Sequence, residues 1–259
     1  MNCWMKRLAK QHRMMRTRHP HEHLAVVFDI DDTILDLRHM ILNVFASFDR
    51  AHGTKYFRGL ALHDIIVGET EIERIVEEAR IPVRARRKVA QWFVEQAWSN
   101  PVVAWAHRPF EGVVEVIRWL QSQERTCVGL NTGRPEEIRA ETLLSLNRIG
   151  RAHGVRFYDD LLFMSHYAWG ERIPESKVEG IRYFQQQGLR VAAFVDNEPE
   201  NLHSVAKYDG ARDILLLHAD TVYRSEREVL PAHAVSGTAY DVSRLARGHA
   251  RKHELGKAA

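Results

Sequence analysis

Five short, mostly apolar runs constrain this chain more than any bulk property: Leu24–Phe28, Thr126–Leu130, Asp160–Met164, Val191–Val195 and Ile214–Leu217. Their apolarity is nearly continuous rather than alternating, which is the pattern of strands buried on both faces of a parallel sheet. The segments between most of them read as helices. In Gly112–Gln123, Val113, Val116, Ile117 and Leu120 share one face. Pro135–Ile149 carries a Pro near its start and Gly150 at its end, and Ser176–Gln187 stops at Gly188. Strand–helix alternation of this kind predicts an α/β fold, a Rossmann-like parallel sheet sandwiched by helices.

One interval breaks the rhythm. Residues 37–107 show helical periodicity and almost no strand signal. Met40, Val44, Phe45 and Phe48 form one apolar stripe, and Val89, Trp92, Phe93 and Trp98 suggest another. A βαβ crossover needs only one helix, so this interval reads as a helical domain inserted between the first and second strands. The expected organisation is a basic N-terminal arm (1–23), an α/β core (24–36 and 108–241), a helical insertion (37–107) and a basic C-terminal tail (242–259).

Composition enters through charge. The chain has 259 residues and a formal charge of +3. Residues 1–23 hold +5 and residues 242–259 hold +4, leaving −6 on the body. The first segment is Arg-rich and acid-poor like an organellar presequence, but a solvated basic arm is the preferred reading. Hydrophobic residues at 45% and charged residues at 27% exclude collagen-like and disordered classes. Cys3 and Cys127 cannot form a disulfide framework or a zinc pattern, which fits a reducing, cytoplasmic setting. No apolar run reaches the ~18 residues of a membrane span.

Chemistry concentrates where the apolar runs end. The first run is followed by Asp29-Ile-Asp31-Asp32-Thr33. Clustered carboxylates repel and are costly to desolvate, so this placement invites a cation, and an all-oxygen donor set suits Mg²⁺. The competing reading is a strand-end turn capped by Asp. After the second run comes Asn131-Thr132-Gly133-Arg134-Pro135, where Thr132 offers a hydroxyl, Gly133 permits close approach and a following helix N-terminus favours an anion. Ordinary helix capping explains the same residues. Lys177 taken alone reads as a surface charge at a helix start. The fourth run ends in Asp196-Asn197-Glu198-Pro199-Glu200-Asn201, and Asp196 could complete a metal site begun by Asp29 if their strands are neighbours.

Together these four pieces resemble the haloacid dehalogenase-like (HAD) hydrolase superfamily: Asp29/Asp31/Thr33, then Thr132, Lys177 and Asp196, in that order. The resemblance spans residues 24 to about 217, and the helical insertion matches the family's cap position between the first two motifs. It implies a Mg²⁺-dependent phosphatase in which Asp29 is the nucleophile, forming an aspartyl-phosphate, and Asp31 the general acid/base. Asp29, the Asp31 carbonyl and Asp196 would hold Mg²⁺. Thr132, Gly133 and Lys177 would bind the phosphoryl group, with Thr33, Asn197 and Glu200 in support. Asp32 stands where Gly is common, and Glu200 replaces a second acid found in many relatives. An acid/base at position 31 favours phosphoryl transfer over dehalogenation; a mutase or a silent binding protein are further alternatives.

A small phosphorylated metabolite is the expected substrate. The run Thr132–Glu136 with Arg139 and Thr142 also resembles polynucleotide 3′-phosphatases, so a nucleic-acid partner reached through the basic termini is the runner-up. The basic run Arg80, Arg84, Arg86, Arg87 and Lys88 reads as a solvated helix face, and Trp92, Trp98 and Trp105 as packing. His19, His21 and His23 read as a solvated lead-in to the first strand, and His218 and Asp220 as an exposed loop.

Overall fold

The structure is a computed structural model, described over residues 4–66, 68, 71–79, 81–167, 170–222 and 230–246. Its centre is a six-stranded sheet made of β1 (His23–Phe28), β4 (Thr126–Pro135), β5 (Leu162–Ser165), β6 (Leu189–Asp196), β7 (Leu215–Ala219) and β8 (Val235–Gly237). Their order is β5-β4-β1-β6-β7-β8, with every pairing parallel. The nearly continuous apolar runs have the predicted cause, since both faces of the sheet are covered. Val26 and Phe28 face one apolar cluster, while Ala25 and Val27 face the other. The first cluster receives α6 (Val113–Gln121) and α7 (Arg139–Arg151); the second receives α8 (Ile173–Gln186) and α9 (Pro199–Tyr208).

Between β1 and α6 the chain builds a helical unit with its own apolar centre. It comprises α2 (Arg38–His52), α3 (Ile72–Glu78) and α4 (Val83–Gln96). Phe45 stacks on Phe57 at 4.2 Å, and Trp92 donates its indole N–H to Ser47 (3.0 Å), so Trp92 is packing. The chain leaves through β2 (Leu35–Asp36) and returns through α5 (Asn100–Trp105) and β3 (Arg108–Pro109), which pairs antiparallel with β2. Trp98, between α4 and α5, packs against both the helical unit and the sheet cluster. Arg84, Arg87 and Lys88 are exposed and Arg86 pairs with Glu77 (3.1 Å), a solvated face; Arg80 lies outside the described residues.

The N-terminal segment differs from expectation. Residues Trp4–Arg18 form a helix, α1, whose Trp4, Met5, Leu8, Ala9, His12 and Met15 are buried while Lys6, Arg7, Lys10, Arg13 and Arg18 face solvent. The apolar residues recur at three- and four-residue spacing, and burying each large one contributes about 1.5–3 kcal/mol, enough to outweigh the pull of net charge towards solvation. Trp4 donates its indole N–H to the Ala239 carbonyl (2.7 Å), and Arg16 ties the carbonyls of His19, Glu22 and Arg125. Most of the basic C-terminal stretch, from residue 247 on, lies outside the described residues.

Three smaller corrections follow. The second run extends as strand to Pro135, so the helix begins at Arg139 rather than Pro135. Gly150 lies inside α7, and a Cβ there would meet the Val155 carbonyl oxygen at 2.6 Å, so close chain approach accounts for this glycine rather than helix termination. β8, with only three residues, left no readable apolar run.

Candidate active site

Parallel pairing of β1 with β4 on one side and β6 on the other brings the ends of three strands together. Asp29 leaves the end of β1 with its N–H bonded to the Val195 carbonyl (2.8 Å), and Asp196 closes β6. The neighbour condition set by the sequence is therefore met. Thr132, on β4, completes the row, and its hydroxyl accepts the Arg134 N–H (3.2 Å).

Lys177 is buried at 1% exposure, unlike a surface charge. Its ammonium bonds Asp29, sits 3.3 Å from Asp196 Oδ2 and donates to the Asn131 carbonyl (2.7 Å). The Asn131 amide returns a bond to the Lys177 carbonyl (2.8 Å). Gly180 makes this approach possible, because a Cβ there would fall 2.4 Å from the Asn131 side chain. Gly133 is similarly close-packed, against Ile173.

The loop after β1 is tightly turned: the Ile30 carbonyl accepts the N–H groups of both Ile34 and Leu35 (2.8 Å each). Asp32 takes φ 53, in the left-handed region, which explains how it can stand in a position suited to Gly; Asp is among the few other residues that adopt it. The Asp32 carboxylate accepts the Leu37 N–H (3.2 Å) and its carbonyl accepts Thr221 Oγ1 (2.9 Å). Thr33 is fully buried; its hydroxyl donates to Asn197 Oδ1 (3.2 Å) and its carbonyl accepts the Tyr240 hydroxyl (2.8 Å).

Asp196 is held from its own side. Its Oδ1 accepts the Glu198 N–H (2.8 Å), and the Asn201 amide reaches both oxygens (3.1 and 3.2 Å). Glu200 is exposed on the first turn of α9 and lines the cleft. His218 and Asp220 do not form the exposed loop expected of them. His218 belongs to β7, is 4% exposed, and bridges the Asn197 carbonyl (2.9 Å) and Ser236 Oγ (3.0 Å), while Asp220 is half-buried with its N–H on the Gly237 carbonyl (3.0 Å). An eighth strand, unseen in the sequence, supplies Ser236 and Gly237 for these contacts.

Arg134 is the largest fully buried side chain of the described residues. Its Nε and Nη2 donate to the two oxygens of Asp31 (2.8 and 2.6 Å), and Nη1 donates to Thr142 (3.1 Å). The neighbouring His107 is fully buried, with burial first and the Arg134 charge second pushing its pKa down to about 4.

The carboxylates diverge electrically. Burial pushes Asp29 up to about 7, against the pull of Lys177 and with the help of Asp196 and Asp31. Burial also opposes the charge on Asp31, but the Arg134 guanidinium outweighs it and holds that carboxyl below its ordinary value. Lys177 is raised, because Asp196 and Asp29 outweigh its own burial. Three carboxylates, Asp29, Asp31 and Asp196, thus surround two cations, Lys177 and Arg134. Asp29 and Asp31 line a cleft of about 1850 Å³ that Ile66, Glu71 and Arg74 of the helical unit also line.

No protein-family model and no curated protein matches this chain. Solved structures do. A candidate β-phosphoglucomutase of Thermotoga maritima superposes with a TM-score of 0.54 at 18% identity, covering 87% of this chain and 99% of that one. A candidate haloacid dehalogenase-like hydrolase of Burkholderia xenovorans gives 0.51 at 13% identity, covering 88% and 97%. A HAD-superfamily hydrolase of subfamily IA from Geobacter sulfurreducens gives 0.50 at 14%, covering 85% and 94%. The class this defines is the Rossmann-like α/β fold with a helical unit inserted after β1. Within that class, the chain has the haloacid dehalogenase-like fold.

Sequence reasoning missed Arg134, His107 and Asn201. Arg134 and Asn201 stand inside the quoted motifs, beside Thr132 and Asp196, but nothing in their spacing marks them as buried. His107 has no sequence signal at all. The histidines 19, 21 and 23 do not converge: His19 pairs with Glu22 (2.9 Å) and His23 is exposed at the start of β1.

Proposed function

We propose that this protein is a Mg²⁺-dependent phosphatase that hydrolyses a phosphate monoester of a small metabolite through an aspartyl-phosphate on Asp29. The observation that carries the reading is the convergence of Asp29, Asp196 and Lys177 at adjacent strand ends, with Asp31 and Thr132 beside them.

The donor set suits Mg²⁺. Asp29, Asp31 and Asp196 outnumber Lys177 and Arg134 by one, an excess of negative charge that a metal would offset. Among the described residues no three His, Cys, Asp or Glu side chains form a ready cage. The side-chain ligands would be Asp29 and Asp196, which flank Lys177, with the Asp31 carbonyl and waters completing an all-oxygen set of the kind Mg²⁺ favours. Bound there, Mg²⁺ would let an anionic nucleophile approach an anionic phosphate.

The chain's own groups do the rest. Asp29 attacks phosphorus, and the bond to the leaving oxygen breaks as Asp31, which Arg134 keeps ionised in the free protein, relays to that oxygen the proton of a monoprotonated phosphate ester. Asp31 then takes a proton from water as the water attacks the phosphoryl group and frees Asp29. Lys177 and Thr132 hold the transferring oxygens, where charge is redistributed. The helical unit serves as a cap: its residues Ile66, Glu71 and Arg74 form the wall against which a leaving group would rest.

A second reading, a nucleic-acid 3′-phosphate as substrate, draws on the exposed basic face of α1. A panel of sugar phosphates, nucleotides and 3′-phosphorylated oligonucleotides with Mg²⁺ separates the two. The metabolite reading expects salt-insensitive turnover of a small ester that is lost in Asp29→Asn. A clear preference for the oligonucleotide that weakens steeply with salt favours the second reading.

A further inference from the structure

Asp31 must aim a carboxyl oxygen at the leaving oxygen to deliver a proton and then at water to take one, yet it lies in the loop after β1 and its side chain is 22% exposed. What fixes its plane is Arg134. Nε and Nη2 of the guanidinium lie on Oδ2 and Oδ1 of Asp31 at 2.8 and 2.6 Å, a side-on bidentate fork that orients the carboxylate and leaves one lone pair on each oxygen for substrate.

Arg134 is itself held on every side. Nη1 donates to Thr142 Oγ1 of α7 (3.1 Å), and Nη2 reaches His107 Nε2 (3.3 Å). His107 Nδ1 lies 3.0 Å from the Val103 carbonyl, which can only accept, so Nδ1 carries the proton and Nε2 offers Arg134 a lone pair. A histidine buried beside a guanidinium stays neutral, which keeps that lone pair in place. Trp98 closes the guanidinium face, with its ring centroid 5.2 Å from Cζ. Thr142 belongs to the sheet domain; His107 immediately precedes the returning strand β3; Trp98 stands at the junction of α4 and α5, packed on both apolar clusters.

We propose that Arg134 is a positioning residue for Asp31, and that Trp98 and His107 hold it so that the geometry of the acid/base depends on how the helical unit is seated on the sheet domain. This rests on the phosphatase reading given above. Arg134 makes no bond to the Asp29, Lys177 and Asp196 group, so its removal should impair the use of Asp31 rather than phosphate binding.

The test is steady-state kinetics of Arg134→Lys, Arg134→Ala, His107→Gln and Trp98→Leu on the best ester of the panel, with saturating Mg²⁺. Lysine keeps the charge but cannot fork across both oxygens. Arg134→Lys should lose about 100-fold in kcat with KM little changed, the order expected for misplacing a reacting group by about 1 Å. Added guanidinium, but not ammonium, should restore part of the kcat of Arg134→Ala. His107→Gln and Trp98→Leu should lower kcat by roughly tenfold, again without raising KM. Unchanged kcat in Arg134→Lys overturns the inference, as does a rise in KM with kcat intact, which would make Arg134 a substrate-binding group. Loss of kcat in Arg134→Lys with His107→Gln and Trp98→Leu both at the wild-type rate removes the dependence on the helical unit. A wild-type protein with no turnover on any ester removes the phosphatase reading and this inference with it; a wild type that turns over beside an equally active Arg134→Lys removes the inference alone.

Discussion

Replacing Lys177 with Met keeps most of the side-chain volume and deletes the buried cation between two buried carboxylates. At the 3.3 Å separation from Asp196, an effective dielectric of about 20 gives an attraction of about 5 kcal/mol. The full amount is not lost, because Asp29, already at about 7, takes up a proton once Lys177 is gone. The expected net cost is therefore about 3 kcal/mol, at the low end for breaking a buried ion pair. For a chain of this size that corresponds to a drop in melting midpoint of roughly 6–12 °C. Thermal unfolding at pH 7.5 in EDTA measures it. Mg²⁺ should recover more stability for Lys177→Met than for the wild type, since removing a positive charge from a site with excess carboxylate strengthens its hold on a cation. Turnover should fall by about 10²–10³-fold, because the transferring oxygens lose a donor. An unchanged midpoint in EDTA together with unchanged turnover would refute the argument that Lys177 balances Asp29 and Asp196.

Three further outcomes are expected. Asn201→Ala removes both amide bonds to Asp196, so the Mg²⁺ concentration for half-maximal activity should rise about 10–100-fold, with kcat largely recovered at saturation. Trp4→Ala deletes a side chain only 3% exposed, so urea unfolding should show a loss of about 3–5 kcal/mol; a negligible loss would return α1 to the status of a dispensable arm. His107 has a folded pKa of about 4 against an ordinary 6.5. The unfolded chain therefore binds the proton first as pH falls, and the residue's contribution is complete above pH 6.5 and lost on the way down to 4. Relative to His107→Gln, the wild type should lose about 2.5 kcal/mol of stability between pH 7.5 and pH 4.5, read from unfolding curves at each pH.

Most of what positions the site was legible in the sequence. Runs apolar on both faces announce a parallel sheet, and acids at their ends are conspicuous because burial of carboxylates is expensive. That logic singles out Asp29, Asp31 and Asp196, which the structure gathers around Lys177 and Arg134, and the order of the runs puts the helical unit between β1 and β4. It failed where one residue serves two masters. Gly150 looked like a helix stop because sequence cannot distinguish a glycine at a helix end from one under a crossing chain. In α1 the basic residues argue for solvation, although Trp4, Leu8 and Met15 share a face that the sheet buries. Arg134 and His107 are the clearest case. Their contact joins two segments separated by α6 and most of β4, and a buried arginine is recognisable only once its acidic partner is known to face it. His218 differs from its sequence expectation for a related reason, since the strand beside it, β8, has only three residues and leaves no apolar run.

The central claim is that Asp29 is the atom-bearing nucleophile. Its most direct test is chemical trapping: acid-quench the protein during turnover of a reactive phosphate ester with Mg²⁺, reduce with borohydride, and map the peptides by mass spectrometry. An acyl phosphate is reduced to the alcohol, so Asp29 should appear as homoserine, with no such product in Asp29→Asn or without substrate. Reduction at another carboxylate, or full turnover with Asp29 untouched, would contradict the account.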